Sequence, residues 1–121
     1  MGATYKKPAI TFSTRTTLDS EGNAMLKAHA YLAQTDGFVS VLMSIATAGN
    51  QLQGYIGDTN DPAGAGDLMQ RNLTSDDGEA VCQTLHVARG EYFEIVDTEG
   101  TNDPTIWWRS RGPLRAPVDH N

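Results

Sequence analysis

The chain has 121 residues, 39% of them hydrophobic, with 12 glycines, 5 prolines and a formal net charge of −6 from 15 acidic against 9 basic side chains. That is about one domain with one core, too short for a core plus a separate catalytic lobe, and a turn-rich composition of modest hydrophobicity predicts a flat, two-layered body. The negative balance supplies no global field for a polyphosphate backbone, which argues against nucleic acid as a direct partner, and no run approaches the roughly 18 apolar residues of a membrane span.

Met1 to Pro8 is small, polar and basic through Lys6 and Lys7. Pro8 cannot donate to a ladder, so residues 1–8 read as an extended arm, and no apolar stretch of secretory length precedes residue 20, so export by a classical signal is not expected. Ile10 and Phe12 alternate with Thr11 and Ser13 as a short first strand, and Leu18 to Asn23 holds turn residues. From Ala24 to Ala33 strand is preferred over helix: Leu26, Ala28, Ala30 and Leu32 make an unbroken apolar face at a period of two, although Leu26, Ala30 and Ala33 also fit a helical stripe.

Asp36-Gly37 is a turn signal, and the strand it opens, through Ile45, places Val39, Val41, Met43 and Ile45 on one face. Ala48-Gly49-Asn50 reads as a hairpin turn that makes Gln51 to Ile56 the antiparallel neighbour of that strand. Gly57 to Asp67 is an exposed loop, rich in turn formers and placed where recognition often sits. Short strands are expected at Leu68 to Leu73, Glu79 to Ala88, Glu91 to Thr98 and Thr105 to Ser110, with a turn at Ser75 to Gly78 and a sharp reversal at Gly90, where a side chain would obstruct. Residues 112–121 form a tail that either docks or stays disordered. Seven or eight short strands at intervals of about ten residues predict an all-β, single-domain antiparallel β-sandwich, with a small barrel as the alternative, spanning residues 9–111. Thr59-Asn60-Asp61-Pro62 echoes Thr101-Asn102-Asp103-Pro104, which shared turn chemistry explains without an internal repeat.

No residue cluster equipped for covalent chemistry is visible. Cys82, Thr84 and His86 share one face of a strand, but no orienting Asn or Asp accompanies them; a buried Cys beside a surface His is the expected arrangement. A lone cysteine makes no intrachain disulfide and fits a reducing cytoplasm. His29 and His120 stand alone. Asp58, Asn60 and Asp61 in one loop, and Asp97, Glu99, Asn102 and Asp103 in another, are oxygen-rich but match no calcium motif; Asp and Asn also favour turns by bonding their own backbone. Neither a Gly-x-Ser-x-Gly elbow nor a phosphate-cradling glycine loop is present. No enzyme activity, metal or cofactor is expected.

The aromatic residues carry the remaining signal. Trp107 and Trp108 are adjacent, so in a strand one enters the core and the other faces outward, and Phe38, Tyr55, Tyr92 and Phe93 pose the same question. Arg109, Arg111 and Arg115 lie nearby in a Pro-containing segment that suits a solvated tail or a protein contact. Phe38, Tyr55, Trp107, Arg109 and Arg111 are therefore the candidate interface or ligand face, with self-association favoured over a carbohydrate platform.

Asp36-Gly37-Phe38-Val39-Ser40-Val41, Gln53-Gly54-Tyr55-Ile56-Gly57, the segment Leu85-His86-Val87-Ala88-Arg89-Gly90-Glu91-Tyr92-Phe93-Glu94-Ile95 and the closing Ile106-Trp107-Trp108 strand together resemble bacteriophage virion proteins. The type they are similar to is the jelly-roll or β-sandwich module of head decoration (cement) proteins and tail-fibre tips. The resemblance covers Gly37 to Ser110 and carries no catalytic or ligand residue. It implies a jelly-roll-like, non-enzymatic structural protein, commonly a homotrimer, assembled in the host cytoplasm into the virion. Its partners would be its own copies, the major capsid protein or other virion subunits. The short chain favours decoration over a complete fibre. The alternative it implies is a receptor- or carbohydrate-binding module of a fibre or spike, using Trp107 or Tyr55 and the Gly57 to Asp67 loop on a surface glycan.

Overall fold

A computed structural model describes residues 11–121; the expected arm over 1–8, and Ile10, lie outside the described residues. Among the described residues there are eight strands and no helix: β1 (Tyr31–Leu32), β2 (Gly37–Ile45), β3 (Gln51–Gly57), β4 (Leu68–Leu73), β5 (Glu79–Val87), β6 (Tyr92–Asp97), β7 (Thr105–Ser110) and β8 (Val118–Asp119). They form two antiparallel sheets, one in the order β4-β3-β6-β1-β8 and the other β5-β2-β7. The chain is an all-β, single-domain β-sandwich, as its pattern predicts.

The alternation in β2 decides the packing. Val39, Val41, Met43 and Ile45 are buried while Leu42 and Ser44 are exposed, and the partner faces of β5 and β7 bring Leu85, Val87, Ile106 and Trp108 inward. From the five-stranded sheet come Tyr31, Leu52, Ile56, Phe93 and Ile95. A column of rings joins the layers: Tyr31 stacks on Phe93 (centroids 5.5 Å) and Phe93 on Trp108 (5.7 Å, planes 4° apart). The Trp108 indole N–H donates to Ser110 Oγ at 2.9 Å and Arg115 O at 3.0 Å, so the ring is buried with its polar atom satisfied.

Gly37 is more than a turn residue. A Cβ there would strike the Arg109 carbonyl and the Trp108 ring, so the missing side chain lets β2 close on β7. Gly90 makes the expected β5–β6 reversal, but through its φ of +87° and not by clearance, since a Cβ there would meet open space.

The pairings β1–β8, β2–β7 and β3–β6 nest inside one another along the chain. This order corrects one expectation. Ala48-Gly49-Asn50 does not close a hairpin: β2 pairs with β5 and β7, and β3 with β4 and β6, so the connection crosses from one sheet to the other. Local turn chemistry is the same for a hairpin and for a sheet-to-sheet step, and the crossing follows from two apolar faces that must oppose each other.

The expected strand over Ala24 to Ala33 is a second correction. Only Tyr31 and Leu32 form a strand, Ala24 keeps an isolated bridge to Leu18, Ala28 sits at φ +61°, and Leu26, expected inside, is 52% exposed while Met25 and Tyr31 are buried. The backbone wraps around the Tyr31 ring: Leu26 N donates to Tyr31 Oη at 2.7 Å and Ala28 N to Ile95 O at 2.7 Å. Burial pushes the Tyr31 phenol up to about 12 despite that donated bond.

Residues beyond Gly112 take the docked alternative. Gln34 Nε2 donates to Ala116 O, Ser20 N to Pro117 O, Val118 and Asp119 pair with β1, and Asn121 Oδ1 accepts from Ala30 N. Phe12 keeps only a single bridge, to Arg111, from the short first strand expected around it.

Candidate functional site: the outer face of the three-stranded sheet

Because β2, β5 and β7 pair in continuous register, their outward side chains line up in rungs. Phe38 lies between His86 and Arg109, Ser40 between Thr84 and Trp107, and Leu42 between Cys82 and Thr105. Ser44 and Ala80 complete the face, on which no strand residue is a carboxylate. The N-terminal segment adds to it. Phe12 packs on Phe38 (5.4 Å), and Arg15 lays its guanidinium over Trp107, 4.6 Å from the ring centroid. His86 closes on the other flank of Phe38 at 5.2 Å.

Two depressions share the Phe38 ring. The larger, of ≈ 230 Å³, is bounded by Arg15, Ser40, Thr84, Trp107 and Arg109, and the smaller, of ≈ 130 Å³, by Phe12, Asp36, His86 and Arg111. The ion pairs among described residues are Lys27 with Asp97 and Asp103, and His29 with Asp119, so Arg15, Arg109 and Arg111 enter none of them. In a chain of net charge −6 this face concentrates guanidinium groups beside aromatic rings.

Four of the five residues expected at an interface or ligand face are thus brought together: Phe38, Trp107, Arg109 and Arg111. The fifth, Tyr55, belongs to β3 and looks out from the opposite layer, where its hydroxyl donates to Gln53 Oε1 at 2.8 Å. Trp107 and Tyr55 therefore cannot act on one ligand, nor can Trp107 act with the Gly57 to Asp67 loop that follows β3. Sequence reading missed Arg15 and Phe12 as members; the isolated bridges that place them, Thr16 to Trp108 beside Arg15 and Phe12 to Arg111, are long-range pairings with no local pattern. Cys82, expected inside, is exposed: its parity on β5 puts it with Thr84 and His86, while Gln83 and Leu85 turn in.

A second uncovered region is β4, an outer strand of the five-stranded sheet. Its register slips between Gly54 and Tyr55, leaving Met69 without a partner opposite, and Leu68, Met69 and Leu73 are 41%, 62% and 64% exposed. β4 and β5 are not laddered together. Gln83 bridges the seam instead, its Nε2 donating to Leu52 O and Gln70 O, and both Gln83 Oε1 and Asn72 Oδ1 are buried without a hydrogen-bond partner among the described residues.

The oxygen-rich loops are engaged by their own surroundings. Burial alone would raise the Asp97 carboxyl, but hydrogen bonds from Asn102 N (2.8 Å), Asn102 Nδ2 and Glu99 N, with Lys27 beside it, hold it below its ordinary value. Asn102 in turn accepts from Ala46 N, and Lys27 reaches the carbonyls of Gly100 and Asn102. Asp61 accepts from Gly64 N within its own turn. His29, expected to stand alone, bonds Asp119 at 3.0 Å, and His120 meets Tyr92 edge-on. No group of three or more His, Cys, Asp or Glu is gathered to hold a metal among the described residues.

No family model, curated protein or solved structure matches this chain.

Proposed function

We propose that this protein is a non-enzymatic structural subunit of a bacteriophage particle, most simply a head decoration or cement protein that bridges neighbouring subunits. The observation that carries it is β4: an outer strand bearing three exposed apolar side chains is a surface that a stable protein covers with something, and copies of itself or capsid subunits are the cover proposed. The nested pairing of β1–β8, β2–β7 and β3–β6 supports the jelly-roll reading, since a long ribbon rolled over on itself leaves that order. A homotrimer on the virion, assembled in the host cytoplasm, completes the proposal.

The test is assembly. Wild-type chain is expected to sediment as a trimer or to bind emptied particles and raise their resistance to heat. Met69→Lys with Leu73→Lys abolishes that while shifting the chain's own unfolding by no more than about 1 kcal/mol, because both positions are on the surface. A monomer that leaves particle heat resistance unchanged would overturn cementing.

A second reading, a receptor- or carbohydrate-binding module at a fibre tip, is favoured by a different observation: the ≈ 230 Å³ depression between arginine, indole and hydroxyl groups on the other layer. Loss of glycan binding in Trp107→Ala, with none in Tyr55→Ala, is its expected result.

A further inference from the structure

We infer that the depression between Arg15, Phe38, Ser40, Thr84, Trp107 and Arg109 is a binding site for one acidic sugar ring, a pyranose carrying a carboxylate. The inference rests on the second reading above and names its ligand class. At ≈ 230 Å³ the site is smaller than the roughly 300–1,000 Å³ that encloses a drug-sized molecule, which suits a single ring exposed on one side.

The chemistry of the walls selects the ring. Arg15 lies over Trp107, its guanidinium carbon 4.6 Å from the ring centroid, which occupies that face of the indole. A guanidinium held over a ring can still offer N–H groups to a carboxylate, and Arg109, which also lines the depression, supplies a second guanidinium. A neutral sugar would leave both forks unanswered. Ser40 Oγ and Thr84 Oγ1 stand 3.5 Å apart on one rung of β2 and β5, and each can donate or accept, as ring hydroxyls require. A bare carboxylate can accept from both hydroxyls but donates to neither, so it leaves their acceptor capacity unused. Phe38 offers an apolar edge to the C–H side of a ring.

The experiment is an NMR titration of the chain with glucuronic acid, glucose, acetate and a glutamate-rich peptide, followed at the Trp107 indole and the Ser40 and Thr84 amides. Glucuronate is expected to saturate these signals with a Kd at least about tenfold below those of the other three. Arg15→Ala and Arg109→Gln each weaken it by about tenfold at unchanged Tm, and Arg15→Lys, which keeps charge without the fork, weakens it by less. Should Arg15→Ala lower Tm, Arg109→Gln alone carries the test, since Arg109 does not support the Trp107 ring. Equal binding of glucose and glucuronate overturns the acidic class while leaving a sugar-binding tip standing. Silence toward both sugars overturns the site as an acidic-sugar pocket, while the reading beneath it stands or falls on the glycan-binding test of Trp107→Ala. Acetate or peptide binding as tightly as glucuronate overturns the sugar and gives the face to a carboxylate-bearing protein.

Discussion

The two outer faces of this sandwich treat their polar groups in opposite ways. On the five-stranded sheet Gln51, Gln53 and Tyr55 bond one another in a chain, and Glu94, whose carboxyl is raised by burial, accepts from Ala63 N. On the three-stranded sheet's outer face Arg15 lies over the Trp107 ring and Arg109 sits opposite Phe38 in the register, neither with a carboxylate ion-pair partner among the described residues. On the first face donors and acceptors answer each other, and the unanswered donors on the second are what the proposed ligand site rests on. The same sheet that is more regular inside is the less satisfied outside.

That contrast can be broken or sharpened by substitution. The largest effect is expected from Trp108→Ala, which removes the end of the ring column joining the layers and should cost about 3–5 kcal/mol, read by denaturant unfolding. Both faces lose their support together, so ligand and assembly phenotypes should vanish in the same variant. Gly37→Ala and Asp97→Asn share the next rank; the first should cost about 1–3 kcal/mol, because the new methyl meets backbone and a packed indole, neither of which can rotate away.

Asp97→Asn should cost about 1.5–3 kcal/mol at neutral pH by removing a charge that several donors share. The sign with pH follows from the direction of the shift. The folded carboxyl titrates below the ordinary 3.8, so its contribution is full above that value and is lost as pH falls through the folded one. Acid unfolding curves of wild type and Asp97→Asn should therefore converge as pH drops. The smallest effect is expected for Tyr55→Phe, about 0.5–1.5 kcal/mol, since one exposed-side hydrogen bond is lost from the wall and nothing from the site.

Much of this architecture was legible in the residues. β2, β6 and β7 begin and end within a residue or so of where period-two alternation puts them, because each has one face in the core and one toward water. Ala24 to Ala33 misled for a physical reason: small and straight-chain residues alternate there by composition, but Tyr31 captures the backbone at Leu26 and turns it. Which strands pair was hidden as well, since the turn after β2 is chemically a hairpin turn and only the opposing apolar faces send β3 to the other layer. Of the site, Phe38, Trp107, Arg109 and Arg111 were readable from outward parity near the closing strand, whereas Arg15 joins them through a pairing of Thr16 with Trp108 across 92 positions of chain.

The adjacent tryptophans also give the molecule two optical probes in one strand. Trp108, sealed between Phe93 and the Ser110 hydroxyl, should emit at short wavelength and red-shift only when the core melts. Trp107, under the Arg15 guanidinium, senses solvent and anything that displaces that cation. In Trp107→Phe and Trp108→Phe proteins, fluorescence would thus separate unfolding from occupancy without an added label.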